Sequence, residues 1–373
     1  MGRFTRRQGL GALAAWGGGW CWPAVAAPFI GDAPVRSGLS GWVEAFVARH
    51  RIAGAVVQVS GPEGEASAWA GLSDLSRRQP MSAATRFYIA SCGKLATTAA
   101  VVQAQLQGRF ALGDAVAPLL APLPGVNWRQ WAPLRGVTVE HLLRHRSGLP
   151  EYYDEAFEAL TLDPAQPVPT VASIVAGLKE ASAEFPPGRQ HSYCNTNFVL
   201  LGHLLASVDG RPFPEVLRQR LWTPLGLKHT TVGAQAGPQV ARAYAAGAGR
   251  RAAAQDVSRA GWTAHTGDGA VVTTAAEQAR FMQALFVEEK LLPYGTASRW
   301  CDGLREAEGY GLGCMQVRTR RHGVAWGHNG AVTGISAESW WVPKFRRSVV
   351  LLCNGDVEAD SADLLNDILA AVA

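Results

Sequence analysis

The segment Arg86-Phe-Tyr-Ile-Ala-Ser-Cys-Gly-Lys94, followed by an apolar stretch as far as Gly108, decides how this chain is interpreted. Its first residues favour a short strand, and the stretch after Lys94 predicts a helix that stops at Gly108. On such a helix Ser91 and Lys94 lie one turn apart on the same face. A serine becomes a strong nucleophile only when a nearby base takes its proton, which a lysine at this spacing can do. The segment therefore predicts a nucleophilic serine.

Two later segments carry side chains that suit the same chemistry, namely Tyr193-Cys-Asn195 and His328-Asn-Gly330. A tyrosine can move protons when cations stabilise its phenolate, and an asparagine offers an amide substrate both a donor and an acceptor. A glycine on a strand lets a substrate approach the backbone closely. Taken singly, Tyr193 and His328 are more typical of packed residues than of catalysts. Together, and in this order, the three segments indicate an acyl-transfer site.

The three segments resemble the motifs of the serine β-lactamase and penicillin-binding superfamily, in particular its branch of class C β-lactamases, D-Ala-D-Ala carboxypeptidases and esterases. Further blocks of the chain look like this family and extend the resemblance over roughly residues 35 to 370: His141-Leu-Leu-Arg-His-Arg-Ser-Gly-Leu-Pro150, Gly267-Asp-Gly-Ala-Val-Val-Thr-Thr274, Tyr310-Gly-Leu-Gly313 and Leu352-Cys-Asn-Gly-Asp356.

The resemblance implies a role for each of seven residues. These are Ser91 as the acylated nucleophile, Lys94 and Tyr193 for proton transfer, Asn195, His328 and Gly330 for substrate binding, and the backbone N–H groups of Ser91 and Ala331 as the oxyanion hole. Which of Lys94 and Tyr193 is the base in acylation stays open. No metal and no cofactor are implied. His328 stands where class C β-lactamases carry lysine and where several carboxypeptidases and esterases carry histidine, so the resemblance is weaker to a β-lactamase proper.

The resemblance implies an exported serine hydrolase that forms an acyl-enzyme on Ser91 and cleaves an amide, β-lactam or ester bond. A D-Ala-D-Ala carboxypeptidase or β-lactamase-like activity is the leading hypothesis. The alternatives are a carboxylesterase or D-amino-acid peptidase on the same fold, or a penicillin-binding sensor that deacylates slowly. The expected substrate is a small molecule or peptide: a β-lactam, a D-Ala-D-Ala peptide or an ester.

The first 26 residues are typical of an export signal. Arg6 and Arg7 precede a modestly apolar stretch, and Ala24-Val-Ala26 suits a cleavage site. The adjacent arginines resemble a twin-arginine signal, although Gly9 stands where a large apolar residue is usual. The apolar stretch is too short and too rich in glycine for a stable membrane span. We therefore expect a periplasmic or secreted protein.

The rest of the chain, residues 27–373, is expected to be one catalytic domain of α/β (α+β) class. Strand patterns occur near both ends of the chain and helical patterns between them, so we expect a β-lactamase/transpeptidase-like antiparallel sheet flanked by helices, with an inserted and mainly helical subdomain. The sheet subdomain would take about residues 35–85 and 267–373, and the helical one about residues 86–266. The site is expected at their interface.

Charge and composition narrow the possible partners. The formal net charge is +5, but three of the arginines lie in the N-terminal segment and no basic stripe follows. We therefore expect no nucleic-acid partner, and a monomer is the default expectation. His141 and His145, four residues apart, could share a helix face as in a metal site, but no third ligand follows the pattern. Cys92 and Cys194 lie inside two motifs and are expected to be buried, with a disulfide between them as the lesser alternative.

Overall fold

The structure is a computed structural model that describes residues 33–163, 165–233, 239–246, 254–258, 266–288, 290–292 and 309–372. The segment 1–26, in which we predict the export signal, lies outside these residues, and so does Cys301. Among the described helices, none combines the length and the apolar character that a membrane crossing requires.

Among the described residues, one helix and four strands are followed by seven helices, four strands, one helix, four strands and a last helix. The helices are α1 (Ala33–His50), α2 (Lys94–Leu106), α3 (Val139–Leu143), α4 (Glu155–Leu162), α5 (Val171–Gly177), α6 (Asn195–Asp209), α7 (Phe213–Leu217), α8 (Thr223–Leu225), α9 (Ala275–Phe286) and α10 (Ser361–Ala371). The strands are β1 (Gly54–Gly61), β2 (Gly64–Asp74), β3 (Gln79–Pro80), β4 (Arg86–Tyr88), β5 (Thr231–Val232), β6 (Tyr244–Ala245), β7 (Gln255–Asp256), β8 (Val271–Thr274), β9 (Met315–Thr319), β10 (Gly323–Val332), β11 (Ile335–Val342) and β12 (Arg347–Cys353).

Seven strands form one antiparallel sheet in the order β3-β2-β1-β12-β11-β10-β9. The strand pair β1–β12 joins the two ends of the chain in its middle, with Val57 opposite Leu351. A second sheet has the order β4-β8-β5, and its strand β4 leads directly into the segment that contains Ser91. The predicted α/β class, with an antiparallel sheet flanked by helices, is confirmed.

Alternate residues of the large sheet face two separate cores. Val349 and Leu351 pack with Leu39 of α1 and Leu365 of α10 on one face. Val350 lies on the other face, within the core that α2, α6 and α9 share. Side chains alternate across a strand, so a sheet that is covered on both faces needs continuous apolar runs such as that of β12. The sheet is consequently held between two helical layers, and the site lies on the α2 and α6 side.

Most local predictions near the site agree with the structure, with one correction. The helix predicted after Lys94 ends at Leu106, and Gly108 follows with φ +71°. However, α3 ends at Leu143, so His145 does not share a helix face with His141. His145 instead adopts a left-handed backbone conformation with φ +53°. The expectation that the two histidines lie on one helix is therefore wrong.

Candidate active site

Ser91 lies in a short 3-10 turn, Ala90–Gly93, that runs directly into α2. Ala90 has φ +44°, a conformation that non-glycine residues rarely adopt and that is often retained at functional sites. The turn packs against β10 so closely that a Cβ added to Gly330 would lie 2.7 Å from the backbone nitrogen of Ser91. The first and third motifs are therefore adjacent, as the sequence predicted, and the space beside the Ser91 amide depends on a glycine at position 330.

Lys94 is the fully buried centre of the site. Its Nζ lies 3.0 Å from Ser91 Oγ, 2.8 Å from Asn195 Oδ1 and 2.7 Å from the backbone oxygen of Asp268. The last two partners can only accept, so they take two N–H groups of the amine. The third direction, toward Ser91, holds an N–H in the charged amine and a lone pair in the neutral one. In its neutral form Lys94 is thus oriented to take the Ser91 proton.

Tyr193 and Asn195 lie at the N-terminus of α6, which contacts Lys94; Asn195 is the first residue of this helix. The Tyr193 ring is 38% exposed, and Lys94 Nζ lies 5.1 Å from its centroid. Within the part of the chain that the structure describes, the Tyr193 hydroxyl makes no hydrogen bond to Ser91 or Lys94. Asn195 uses its oxygen for Lys94 and one amide hydrogen for Glu151, which leaves its second amide hydrogen for a substrate.

Glu151 is a residue that the sequence did not single out. Its Oε2 accepts from the backbone N–H of Asn195 at 2.6 Å and from Asn195 Nδ2 at 3.2 Å, and its Oε1 accepts from the N–H of Tyr153. The carboxylate therefore caps the N-terminus of α6, where a negative charge is favoured. Burial raises the pKa of Glu151, while these N–H groups and Lys94 act in the opposite direction. About one of its four acceptor positions remains free.

Asp268 places a second carboxylate beside Lys94. Its side chain is buried and accepts a hydrogen bond from the Tyr152 hydroxyl, while its backbone oxygen accepts from Lys94. Burial, followed by the nearby Asp268 charge, raises the pKa of Tyr152 well above its usual range, so this hydroxyl stays protonated as the donor. One side of the site is consequently acidic.

His328 is buried on β10, and both of its ring nitrogens have partners inside the protein. Nε2 lies 3.1 Å from the Tyr310 hydroxyl, and Nδ1 lies against the backbone oxygen of Asn329. Burial, and to a lesser extent the charge of Lys94, lowers the pKa of His328 to about 3. The imidazole is therefore neutral near pH 7 and is not the cation that would pair with a substrate carboxylate.

The two cysteines of the motifs are free and buried. Cys92 Sγ donates to the backbone oxygen of His328, and Cys194 Sγ donates to that of Leu149. Burial raises the pKa of both thiols, that of Cys194 to about 12. Among the described residues, no group of three histidine, cysteine or acidic side chains is placed to hold a metal ion.

Comparison with known proteins agrees with this geometry. A family model described as Beta-lactamase matches residues 39–373. The chain is 33% identical over 169 residues to a D-aminopeptidase of Cereibacter sphaeroides, an alignment that spans 43% of this chain but only 29% of that protein. The chain therefore covers less than a third of the length of this relative.

Two solved structures share the fold over nearly the whole described chain. A D-amino acid amidase from Ochrobactrum anthropi SV3 has a TM-score of 0.75 at 23% identity and covers 91% of this chain and 97% of its own. A D-stereospecific amidohydrolase from Streptomyces has a TM-score of 0.70 at 27% identity and covers 90% and 98%. The β-lactamase/transpeptidase-like architecture expected from the sequence is confirmed.

Proposed function

The chain belongs to the Beta-lactamase family and is a serine hydrolase, and on that basis we propose that it cleaves the amide bond of a small substrate whose acyl part is a D-amino acid with a free α-amino group. The observation that supports this proposal most directly is the charge of the site. A partly buried carboxylate, Glu151, lies against the substrate-binding Asn195, and His328 is held neutral. Such a site favours a positive charge next to the scissile carbonyl over a negative one.

In the proposed reaction, neutral Lys94 takes the proton of Ser91 as Oγ attacks the carbonyl carbon. The backbone N–H groups of Ser91 and Ala331 bind the oxygen that becomes negative, and in other acyl-transfer enzymes one such donor contributes about 10²–10³ in rate. Collapse of the tetrahedral intermediate breaks the C–N bond, and the proton passes from Lys94 to the leaving amine. Water then attacks the acyl-enzyme by the reverse proton path, which releases the acid and restores Ser91.

Tyr193 and Asn195 complete the proposed machinery. The free amide hydrogen of Asn195 would bind the acyl part of the substrate, and Glu151 would then face a charged amino group on the adjacent carbon. The half-exposed Tyr193 ring covers Lys94 at the mouth of the site, where its hydroxyl could pass the proton to the leaving group when a substrate is bound. Active-site hydrogen bonds that are long before binding commonly tighten in the complex.

Carboxypeptidase and β-lactamase activities, our leading hypothesis from the sequence, fit the site less well. Their substrates carry a carboxylate that a positive side chain would have to bind, and His328 does not supply that charge. Several relatives support this preference by name, namely a D-aminopeptidase, a D-amino acid amidase and a D-stereospecific amidohydrolase, whereas others are penicillin-binding proteins and a β-lactamase. We retain an exported location as part of the proposal, supported by the N-terminal pattern alone.

A substrate panel tests the proposal. We would measure hydrolysis of D-alanine p-nitroanilide, its L-enantiomer, its N-acetyl derivative, a chromogenic cephalosporin and p-nitrophenyl acetate, and weigh the intact protein for acyl adducts. The expected result is the highest kcat/KM on the D-amino substrate, with a transient adduct that Ser91→Ala lacks. Ser182→Ala, which changes an exposed serine, is the control. Faster turnover of the cephalosporin, or of the N-acetyl derivative, would contradict the proposal.

A further inference from the structure

A chain of hydrogen bonds connects three buried side chains behind the site. His145 Nε2 lies 3.0 Å from the Tyr310 hydroxyl, and the same hydroxyl lies 3.1 Å from His328 Nε2. All three residues are at most 4% exposed. The motifs assigned no role to Tyr310, and the spacing of His145 from His141 predicted only a shared helix face.

At His145, a backbone N–H determines which atoms donate and which accept in this series of hydrogen bonds. The N–H of Cys194 donates to His145 Nδ1 at 3.1 Å, and the Asn197 amide lies at the same distance from that nitrogen. A backbone N–H can only donate, so Nδ1 is unprotonated and the ring hydrogen of neutral His145 lies on Nε2. His145 therefore donates to the Tyr310 oxygen, and the Tyr310 hydrogen is left to point at His328 Nε2.

The hydrogen bonds of His328, at the other end, are consistent with Tyr310 as the donor. His328 accepts from Tyr310 at Nε2, so its own ring hydrogen lies on Nδ1 and donates to the backbone oxygen of Asn329. Protonation of His328 at Nε2 would bring a second hydrogen against that of Tyr310 and leave the hydroxyl hydrogen without an acceptor. In a buried site an unmatched donor is costly. The chain of hydrogen bonds thus opposes an imidazolium at His328.

The same histidine also contacts the second motif. Cys194, whose N–H holds the ring, lies between Tyr193 and Asn195, and the His145 ring packs 4.3 Å from the Tyr193 ring. His145 holds this place in a left-handed conformation, which is unusual for a residue with a side chain. One imidazole therefore supports Tyr193 and Asn195 on one side and, through Tyr310, His328 on the other.

Several titratable groups surround the three hydrogen-bonded side chains His145, Tyr310 and His328. Lys94 acts on both imidazoles, His191 acts on His145, and Tyr193 and Cys314 act on Tyr310. Lys94 and His191, when charged, disfavour a further positive charge on the histidines. These charges and the hydrogen bonds therefore both disfavour an imidazolium at His328.

We propose that His145 and Tyr310 are positioning residues. They hold His328 as its neutral Nδ1–H tautomer and keep Tyr193 and Asn195 in fixed positions relative to it. The proposal rests on the assignment of Tyr193, Asn195 and His328 to the active site. It is independent of which amide or ester the enzyme cleaves. It predicts a fixed and observable protonation pattern for two of the nine histidines.

The first test is nitrogen NMR of the histidine side chains between pH 5.5 and 8, with signals assigned from His145→Asn and His328→Asn spectra. In the wild type we expect the Nε2–H tautomer for His145 and the Nδ1–H tautomer for His328 throughout. An Nε2–H tautomer or an imidazolium at position 328 would overturn the proposal without any variant or substrate. Tyr310→Phe should shift the His328 Nε2 signal, because that nitrogen loses its donor while the Asn329 oxygen keeps the hydrogen on Nδ1; an unchanged Nε2 signal in that variant would refute the role of Tyr310.

Kinetics supply the second readout. Because Tyr310→Phe removes the donor to His328 and leaves a buried acceptor without a partner, we expect its kcat/KM to fall by about tenfold at pH 7.5, the size of effect that one net hydrogen bond supplies. Tyr244→Phe is the matched control, since Tyr244 is a similarly buried residue whose hydroxyl accepts from the Leu75 N–H, away from the site. His145→Asn should lower kcat more than it raises KM, because asparagine tolerates the left-handed backbone but cannot reach Tyr310. If the kcat/KM of Tyr310→Phe stays within about twofold of the Tyr244→Phe value, the proposal fails.

Discussion

Lys94 and Asn195 are joined by a 2.8 Å hydrogen bond between the first residue of α2 and the first residue of α6. The two residues are 101 positions apart in sequence, yet their helices begin at the same point. Because the Asn195 oxygen and the Asp268 backbone oxygen each take one hydrogen of the amine, the remaining direction of Lys94 is set toward Ser91. The geometry of the base thus depends on how two helix N-termini meet.

Replacement of Lys94 by methionine tests this arrangement. Methionine has a similar length but cannot accept the Ser91 proton or donate to Asn195. We expect kcat to fall by at least about 10²–10⁴, the usual contribution of general base catalysis. Stopped-flow acylation with an activated ester measures the affected step. Lys179→Met, which changes an exposed lysine, serves as the control. An acylation rate within a factor of a few of wild type would show that another group is the base.

Glu151→Gln should discriminate between charged and neutral substrates. Glutamine keeps an acceptor for the N-terminus of α6 but removes the charge that would bind an α-ammonium group. We expect KM for D-alanine p-nitroanilide to rise by about tenfold or more, consistent with about 1.5–3 kcal/mol for a hydrogen bond to a charged group. The N-acetyl derivative should be nearly unaffected. Glu155→Gln, an exposed change in the same segment, is the control. Equal losses on both substrates would limit Glu151 to a structural role.

Gly330→Ala should remove activity by crowding the nucleophile. The added Cβ would lie 2.6 Å from the backbone oxygen of Ile89 and 2.7 Å from the Ser91 nitrogen, and backbone atoms cannot rotate away as a side chain can. We expect at least about a 100-fold loss in kcat/KM, the effect of losing one oxyanion donor. Gly41→Ala has open space in α1 and should leave activity unchanged. Full activity of Gly330→Ala would show that β10 can move away from Ser91.

Glu338 should make stability depend on pH. This residue lies on β11, opposite Asn329 of β10, and its carboxyl group lies beside a cavity of about 100 Å³ and accepts from Trp340 and Ser361. Burial raises its pKa to about 7 from 4.5. Between these two values the folded state binds more protons than the unfolded state, so this group makes the free energy of unfolding fall as pH rises. The full effect is about 3 kcal/mol.

Glu338→Gln should remove this dependence and retain the hydrogen bonds. We expect denaturant unfolding of the variant to lose less stability than wild type between pH 5 and pH 7.5. Glu65→Gln, on the exposed end of β2, is the control and should follow the wild-type curve. Parallel curves for Glu338→Gln and wild type would mean that Glu338 is ionised throughout this range.

The sequence predicted those parts of the site that depend on local spacing. The Ser91–Lys94 pair and the helix that follows it both depend on patterns within about 20 residues. Glu151 was missed because its role comes from the distant N-terminus of α6, although its place directly after Ser147-Gly-Leu-Pro150 was a usable signal. His145 was assigned wrongly to a helix because a left-handed residue leaves no mark in an apolar pattern. The partnership of Tyr310 with two histidines depends on tertiary packing alone.

The burial of the two thiols beside the site affects how the enzyme reacts with alkylating agents and oxidants. Alkylating agents and mild oxidants react with exposed thiolates, whereas Cys92 and Cys194 are shielded and stay protonated. Electrophiles therefore reach Ser91 but not Cys92 and Cys194, although each cysteine is adjacent in sequence to a residue of the active site. Serine-directed inhibitors should therefore modify Ser91 and leave these two thiols unmodified, and thiol reagents should not inactivate the enzyme through Cys92 or Cys194.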